Sequence, residues 1–257
     1  MQLLHSKIIN SESQNTPLII IHGLFGMLDN WGTIAKAFAE NRPVHLLDLR
    51  NHGRSFHHDE MNLAVMAEDL KDYLEHHKIE KAHLLGHSLG GKKVMEFAMH
   101  HPEFIEKLIV ADMAPKAYPP HHQSILKALQ TVDFGQHSSR QTVQEHLASF
   151  ISEAGVIQFL MKNLYWNDEK QLAWRFNLEV LCRRYPEFVG VPVSHGQFNG
   201  SCLFLAGSLS HYVLPQDAML IKMHFPQAEI AYIQGAAHWL HADKPQEFLA
   251  AVQGFLD

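Results

Sequence analysis

The apolar residues of this chain fall into runs of two kinds. Runs of the first kind are continuous and short, and each is closed by glycine, proline or a polar turn. They are "PLIIIHG" at 17–23, "PVHLLDL" at 43–49, "KAHLLGHS" at 81–88 and "IEKLIVADMAP" at 105–115. Continuous apolar runs of this length predict strands buried on both faces. Runs of the second kind repeat every three to four positions. "NLAVMAEDLKDYLEHH" at 62–77 and "LGGKKVMEFAMHH" at 89–101, stopped by Pro102, predict helices. "LLHSKII" near the start predicts another strand, and Asp29 or Asn30 stands where a helix through "WGTIAKAFAE" needs a cap. Strands alternating with helices imply right-handed crossovers and a largely parallel sheet.

The pattern changes between Lys116 and Asn199. "HHQSILKALQTV", "SRQTVQEHLASFI", "AGVIQFLMKNLY" and "EKQLAWRFNLEVL" are amphipathic segments separated by polar turns, with no buried strand among them. Alternation returns at "SCLFLAG" (strand), "PQDAMLIKMHF" (helix), "AEIAYIQG" (strand) and "KPQEFLAAVQGFL" (helix). The expected architecture is one α/β domain in two parts, residues 1–115 and 200–257. A helical lid, residues 116–199, is inserted after the strand ending near Asp112.

Composition narrows the function classes. Hydrophobic residues make up 46%, enough for a sizeable core, and a net charge of −6 speaks against a nucleic-acid partner. No apolar run approaches the roughly 20 residues of a membrane span. "MQLLHSKIIN" lacks the pattern of a signal peptide, and two cysteines, Cys182 and Cys202, fit a reducing compartment, so a cytoplasmic protein is expected. Histidine is abundant at 21, with doublets at 57–58, 76–77, 100–101 and 121–122. No HExxH or Cys/His ligand spacing accompanies them, so no metal is expected. The expectation is exposed histidines on loops and helix ends, titrating near pH 6–7, with solubility lowest just below neutrality.

"GHSLG" at 86–90 carries the chemistry. It matches G-x-S-x-G between a buried strand and a helix. In that setting the serine sits on a tight turn, and small residues two before and two after let strand and helix approach closely. The helix N-terminus favours negative charge developing beside Ser88. A base is expected late in the chain. "IQGAAHWLHADKPQEF" places His238 just after the last strand, with His241 as the competitor. An oxyanion site needs two backbone N–H groups. One comes from Leu89; the other comes from "HGLFG" at 22–26, from Leu24 or alternatively Phe25. Phe25 is also a candidate for lining the substrate pocket, and His22 for orienting this loop.

HGLFG, GHSLG, a late GAAH and "DLRNHGRS" together resemble the α/β-hydrolase family over nearly the whole chain. "HGLFGMLDNW", "GHSLGGKKVM" and "WRFNLEVL" resemble more narrowly the YbfF-type esterases, relatives of the mitochondrial abhydrolase-domain proteins. One motif departs from the family. The loop after the strand that follows the lid reads "AGSLSHYVLPQD", and Ser210 stands where most members carry an acid. A serine cannot stabilise an imidazolium by charge. Asp112, at the tip of the strand before the lid, is the expected replacement, since members of this esterase group place the acid there; Asp217 is the alternative. Asp48 is expected to support the 50–55 loop. Lys92 and Lys93 are expected to be a solvated or lid-facing pair, or to attract an anionic substrate.

The resemblance implies acyl transfer to water through Ser88, His238 and Asp112, with no cofactor. The expected partner is a small-molecule ester or thioester of short to medium acyl chain, acyl-CoA included, with no nucleic acid and no membrane. The expected assembly is a monomer or small homo-oligomer. Carbon–carbon bond hydrolysis, a lyase step, or ligand reception without catalysis are the competing readings.

Overall fold

The computed structural model describes residues 2–257. Its strands are β1 (Ser6–Ile9), β2 (Leu18–Ile21), β3 (Val44–Leu47), β4 (Ala82–His87), β5 (Ile105–Ala111), β6 (Leu164–Trp166), β7 (Leu172–Trp174), β8 (Cys202–Gly207) and β9 (Ala228–Ile233). Its α-helices are α1 (Gly32–Phe38), α2 (Leu63–His76), α3 (Leu89–His100), α4 (Gln123–Gln130), α5 (Arg140–Ala148), α6 (Ala154–Met161), α7 (Leu178–Phe188), α8 (Ala218–His224), α9 (Leu240–Asp243) and α10 (Pro245–Leu256).

Seven strands form one sheet in the order β1-β3-β2-β4-β5-β8-β9. All neighbours pair in parallel except β1, which runs antiparallel against β3. The central strands β2, β3, β4 and β8 are buried along their whole length, which is why their sequences are continuous apolar runs. The exposed edge strand β1 instead carries Lys7. One core forms where α2, α3 and the segment after β5 cover a face of the sheet, with Leu70, Phe97 and Phe176 inside. The other forms under α1, α9 and α10, around Trp31, Phe38 and Phe248. Full burial of an aliphatic or aromatic side chain in these layers contributes about 1.5–3 kcal/mol.

The strand order reverses between β2 and β4. The chain turns one way from β2 to reach β3 and the other way to reach β4 and β5. At such a switch point the loops leaving the carboxyl ends diverge and open a crevice. The two loops at this crevice are HGLFG after β2 and GHSLG after β4.

Between β5 and β8 the chain leaves the sheet and builds α4 to α7. It also forms an antiparallel hairpin, β6 with β7, where only helix was expected. Leu164 and Leu172 are buried there, and Trp166 stands 56% exposed. A three-residue strand is too short to show a period of two inside a helical window, and Asn177, whose side chain accepts from Val180 N, starts the helix later. A second expectation fails at α1. Neither Asp29 nor Asn30 caps it, because residues 28–31 form a 3-10 turn in which Asn30 accepts from Met27 N at 2.8 Å. Among the described residues no helix is long and apolar enough to cross a membrane.

Candidate active site

Ser88 ends β4 and opens α3 with φ 55° and ψ −118°. That conformation is unfavourable for a residue with a Cβ and persists only where the surroundings over-determine it. The close approach of strand and helix supplies the constraint. A Cβ on Gly86 would lie 2.2 Å from the Gly90 carbonyl oxygen, and one on Gly90 would lie 2.4 Å from that of Ile21. Only glycine at both positions lets α3 start directly over β2 and β4.

His238 lies in the loop between β9 and α9, and three contacts hold it. Its Nδ1 lies 2.7 Å from Asp112 Oδ2. Its ring stacks on Tyr212 at 3.8 Å. Its carbonyl accepts from His87 Nε2 at 2.8 Å. With Nδ1 donating to a carboxylate, Nε2 is left as the acceptor. Ser88 and His238 border the same cleft, and the hydrogen bonds of the His238 ring run to Asp112 rather than to the hydroxyl. Serine–histidine contacts of this kind are often long without substrate and tighten on binding.

Asp112 is fully buried just beyond β5, with φ 50°. Its Oδ1 accepts from Gly207 N at 3.1 Å, and its Oδ2 accepts from the Ser210 hydroxyl as well as from His238. Parallel pairing of β5 with β8 sets these loops side by side, so the serine at the customary acid position reaches the carboxylate from the adjacent strand tip. Asp217 is elsewhere employed. It accepts from Leu214 N and from Lys116 Nζ at 2.5 Å. His241 stacks on Trp31 at 3.9 Å, behind His87, and burial lowers its pKa to about 3.

Leu24 and Leu89 both border the space in front of Ser88. Among the described residues no backbone carbonyl accepts from either N–H. Phe25, with φ 58°, lines the cleft. His22 braces this loop: its Nδ1 lies 2.7 Å from the Gly23 carbonyl oxygen and its Nε2 accepts from Leu49 N. Asp48 accepts from Arg54 N at 2.8 Å and Leu28 N at 2.7 Å, which orders the 50–55 loop.

Sequence reasoning passed over one brace of this loop. Asn163, 1% exposed at the end of α6, donates from Nδ2 to the Phe25 carbonyl at 2.7 Å. Its only mark in the sequence is the polar pair Lys162-Asn163 inside the apolar run "LMKNLYW". Asn163→Ala is expected to lower kcat by about 10–100-fold through misplacement of the loop, leaving KM nearly unchanged. Steady-state kinetics beside a melting curve tests this; an unchanged kcat in a folded variant refutes it.

Lys92 meets the lid-facing expectation, and Lys93 departs from it. Lys92 and Lys93 are 1% and 0% exposed, because α3 is covered on every side. Lys92 donates to the Val189 carbonyl at 2.8 Å and to that of Val191, so it faces the insertion and not solvent. Lys93 lies on the far side, and burial lowers its pKa to about 8.

The histidines depart more widely. His22, His45, His52 and His83 are all buried. Burial lowers the pKa of His52 to about 3 and of the other three to about 4. The His121–His122 doublet lies in a loop that borders the cleft, with His121 exposed. The charge change near neutrality is therefore smaller than the histidine count implies. The consequence moves to stability. An unfolded histidine takes up its proton near pH 6.5 and these four do so far lower. Each therefore withdraws about 1.4 kcal/mol of stability per pH unit as pH falls from about 6.5 to 4. Four such groups match a domain's whole stability of about 5–15 kcal/mol within two or three pH units. Urea denaturation at stepped pH is expected to show stability falling steeply below about pH 6.5; a flat profile to pH 5 refutes this.

A cleft of about 810 Å³ opens over Ser88 between the sheet edge and the insertion. Trp31, Ile34, Ile125, Val156, Phe159 and Trp239 supply apolar surface from both sides. A buried carboxylate, an imidazole and a hydroxyl beside free backbone N–H groups form an arrangement able to carry acyl transfer.

Comparison with known proteins agrees with this geometry. Residues 16–153 match the family model described as alpha/beta hydrolase fold. Esterase YbfF of Escherichia coli (strain K12) is 36% identical over 99% of this chain and 98% of its own. The sn-1-specific diacylglycerol lipase ABHD11 of Mus musculus is 34% identical over 98% of this chain and 85% of its own. A solved structure titled "Marine microorganism esterase" superposes with a TM-score of 0.93 at 34% identity, covering 99% of this chain and 100% of that one. The chain belongs to the α/β hydrolase fold family and, within it, to the carboxylesterase-type hydrolases that include Esterase YbfF.

Proposed function

We propose that the protein hydrolyses carboxylic esters through an acyl-serine. The observation that carries this is the 2.7 Å contact of His238 Nδ1 with buried Asp112, in one cleft with a Ser88 held at φ 55°. His238 Nε2 takes the Ser88 proton as Oγ attacks the ester carbonyl. The N–H groups of Leu24 and Leu89 receive the oxyanion, a role in which one donor contributes about 2.7–4 kcal/mol. Asp112 stabilises the imidazolium, which then protonates the leaving alcohol. Water, deprotonated by His238, attacks the acyl-enzyme; collapse releases the acid and restores Ser88. Every step uses groups of this chain, with no metal or organic cofactor.

The same steps would cleave a thioester. The charged side chains bordering the cleft are Lys162 and Asp243, of opposite sign, and one cation does not build a site for the phosphates of coenzyme A. That favours neutral esters, and the relatives' names, esterase and lipase, support the same class. Free Cys182 and Cys202 support a reducing, cytoplasmic setting. A fluorophosphonate probe tests the nucleophile directly. One adduct on Ser88, with loss of p-nitrophenyl acetate hydrolysis in step with labelling, is the expected result. Hydrolysis that survives complete labelling, or an adduct elsewhere, overturns the proposal.

A further inference from the structure

We infer that the site sorts the two halves of its ester by size, taking a short acyl group into a small chamber and a bulky, neutral, apolar alcohol into the large cleft. This rests on the acyl-serine reading above.

Two cavities meet at Ser88. Besides the cleft there is a chamber of about 20 Å³ that Ser88 also borders. Leu24, Ser88, His121, His122 and Tyr212 border both spaces. The remaining walls of the chamber are Leu89, Met113, Tyr118, Phe188, Val189 and the stem of Lys92. The Lys92 ammonium is engaged by the Val189 and Val191 carbonyls, and the Tyr118 hydroxyl by the Tyr212 carbonyl and the Ala114 N–H. Beyond the Ser88 hydroxyl and the N–H groups of Leu24 and Leu89 at its mouth, the chamber is therefore apolar in effect. A volume of that size admits about one water-sized group. The methyl of an acetyl group is near that limit, and an octanoyl chain is far beyond it.

His238 assigns the two spaces. It borders the cleft and not the chamber. The general acid must stand within hydrogen-bond reach of the oxygen it protonates, and that oxygen belongs to the leaving alcohol. The alcohol therefore lies on the cleft side, and the acyl chain, on the opposite side of the tetrahedral carbon, points into the chamber. The cleft, at about 810 Å³, is within the range of sites that enclose a drug-sized molecule. Its Trp31, Ile34, Phe159 and Trp239 offer an apolar alcohol both a floor and a roof.

Two ester series on the wild-type protein test the sorting. In the first the alcohol is p-nitrophenol and the acyl group runs from acetyl through butyryl to octanoyl. In the second the acyl group is acetyl and the alcohol runs from methanol through hexanol to 2-naphthylethanol. Each methylene that does not fit is expected to cost about 10-fold or more. So kcat/KM should fall by at least about 100-fold from acetyl to octanoyl and hold or rise across the acetates. Val189→Ala and Phe188→Leu enlarge the chamber and should raise the butyryl-to-acetyl ratio by about 10-fold. If neither variant folds, the wild-type series decide by themselves. Octanoyl esters hydrolysed as fast as acetyl esters, or acetates of bulky alcohols left uncut, overturn the sorting while Ser88-dependent turnover leaves the esterase reading standing. No turnover of any ester, or turnover unchanged in Ser88→Ala, overturns both.

Discussion

Ser88→Ala is expected to lower kcat for p-nitrophenyl acetate by about 10⁶, the scale seen when a serine acting together with a histidine is removed. The substitution takes away only the hydroxyl. His22 and Asn163 still brace the loop that carries Leu24, so the oxyanion site survives, and substrate binding should survive with it. The measurement is therefore kcat and KM separately. A collapsed kcat with KM within a few-fold of wild type is expected, together with loss of the pre-steady-state burst that an acyl-enzyme produces. A variant retaining a hundredth of the activity would place the attacking group elsewhere.

Asp112→Asn is expected to lower kcat by about 10⁴, as for other acids that orient a catalytic histidine. The reason lies in proton bookkeeping. An asparagine amide can donate to His238 Nδ1, which forces the proton onto Nε2 and removes the base that faces Ser88. The substitution is nearly isosteric: the remaining oxygen still accepts from Gly207 N, and the Ser210 hydroxyl, which donated to Oδ2, turns to accept from the new amide. Folding should change little and the pH–rate profile should change strongly. Asp217→Asn is the matched control: that carboxylate serves Lys116 and Leu214 N, and its loss should leave kcat within a few-fold of wild type. A near-normal Asp112→Asn with an inactive Asp217→Asn would exchange their roles.

Much of this molecule was legible in its sequence because local physics determined it. Continuous apolar runs can only be buried strands or buried helices, and their length and closing glycines separate the two. The order of strands and helices then restricts the sheet to a parallel, right-handed winding, which is what β2 to β5 adopt. The glycines around Ser88 mark a close approach that no other residue permits, and that requirement is written at fixed spacing. His238 was legible by position alone, following the last strand.

Other features have no local signature, because the groups that satisfy each other are distant in the chain. Asp112 and Ser210 are 98 positions apart and meet only because β5 lies beside β8; either loop alone leaves the choice of acid open. Asn163 braces a carbonyl 138 positions away, and Tyr212 stacks on His238 only once their two loops converge. Burial is likewise a property of the assembled layers. Polar identity suggests that Lys93 and the strand histidines face water, yet the packed layers cover them and give them no route to it. Local sequence was enough for the fold, the tight turn at Ser88 and the position of His238 after the last strand. The tertiary structure alone decided which carboxylate meets that histidine, which braces hold the loops, and how the space around Ser88 is divided, since each of those is a contact between elements rather than a property of one.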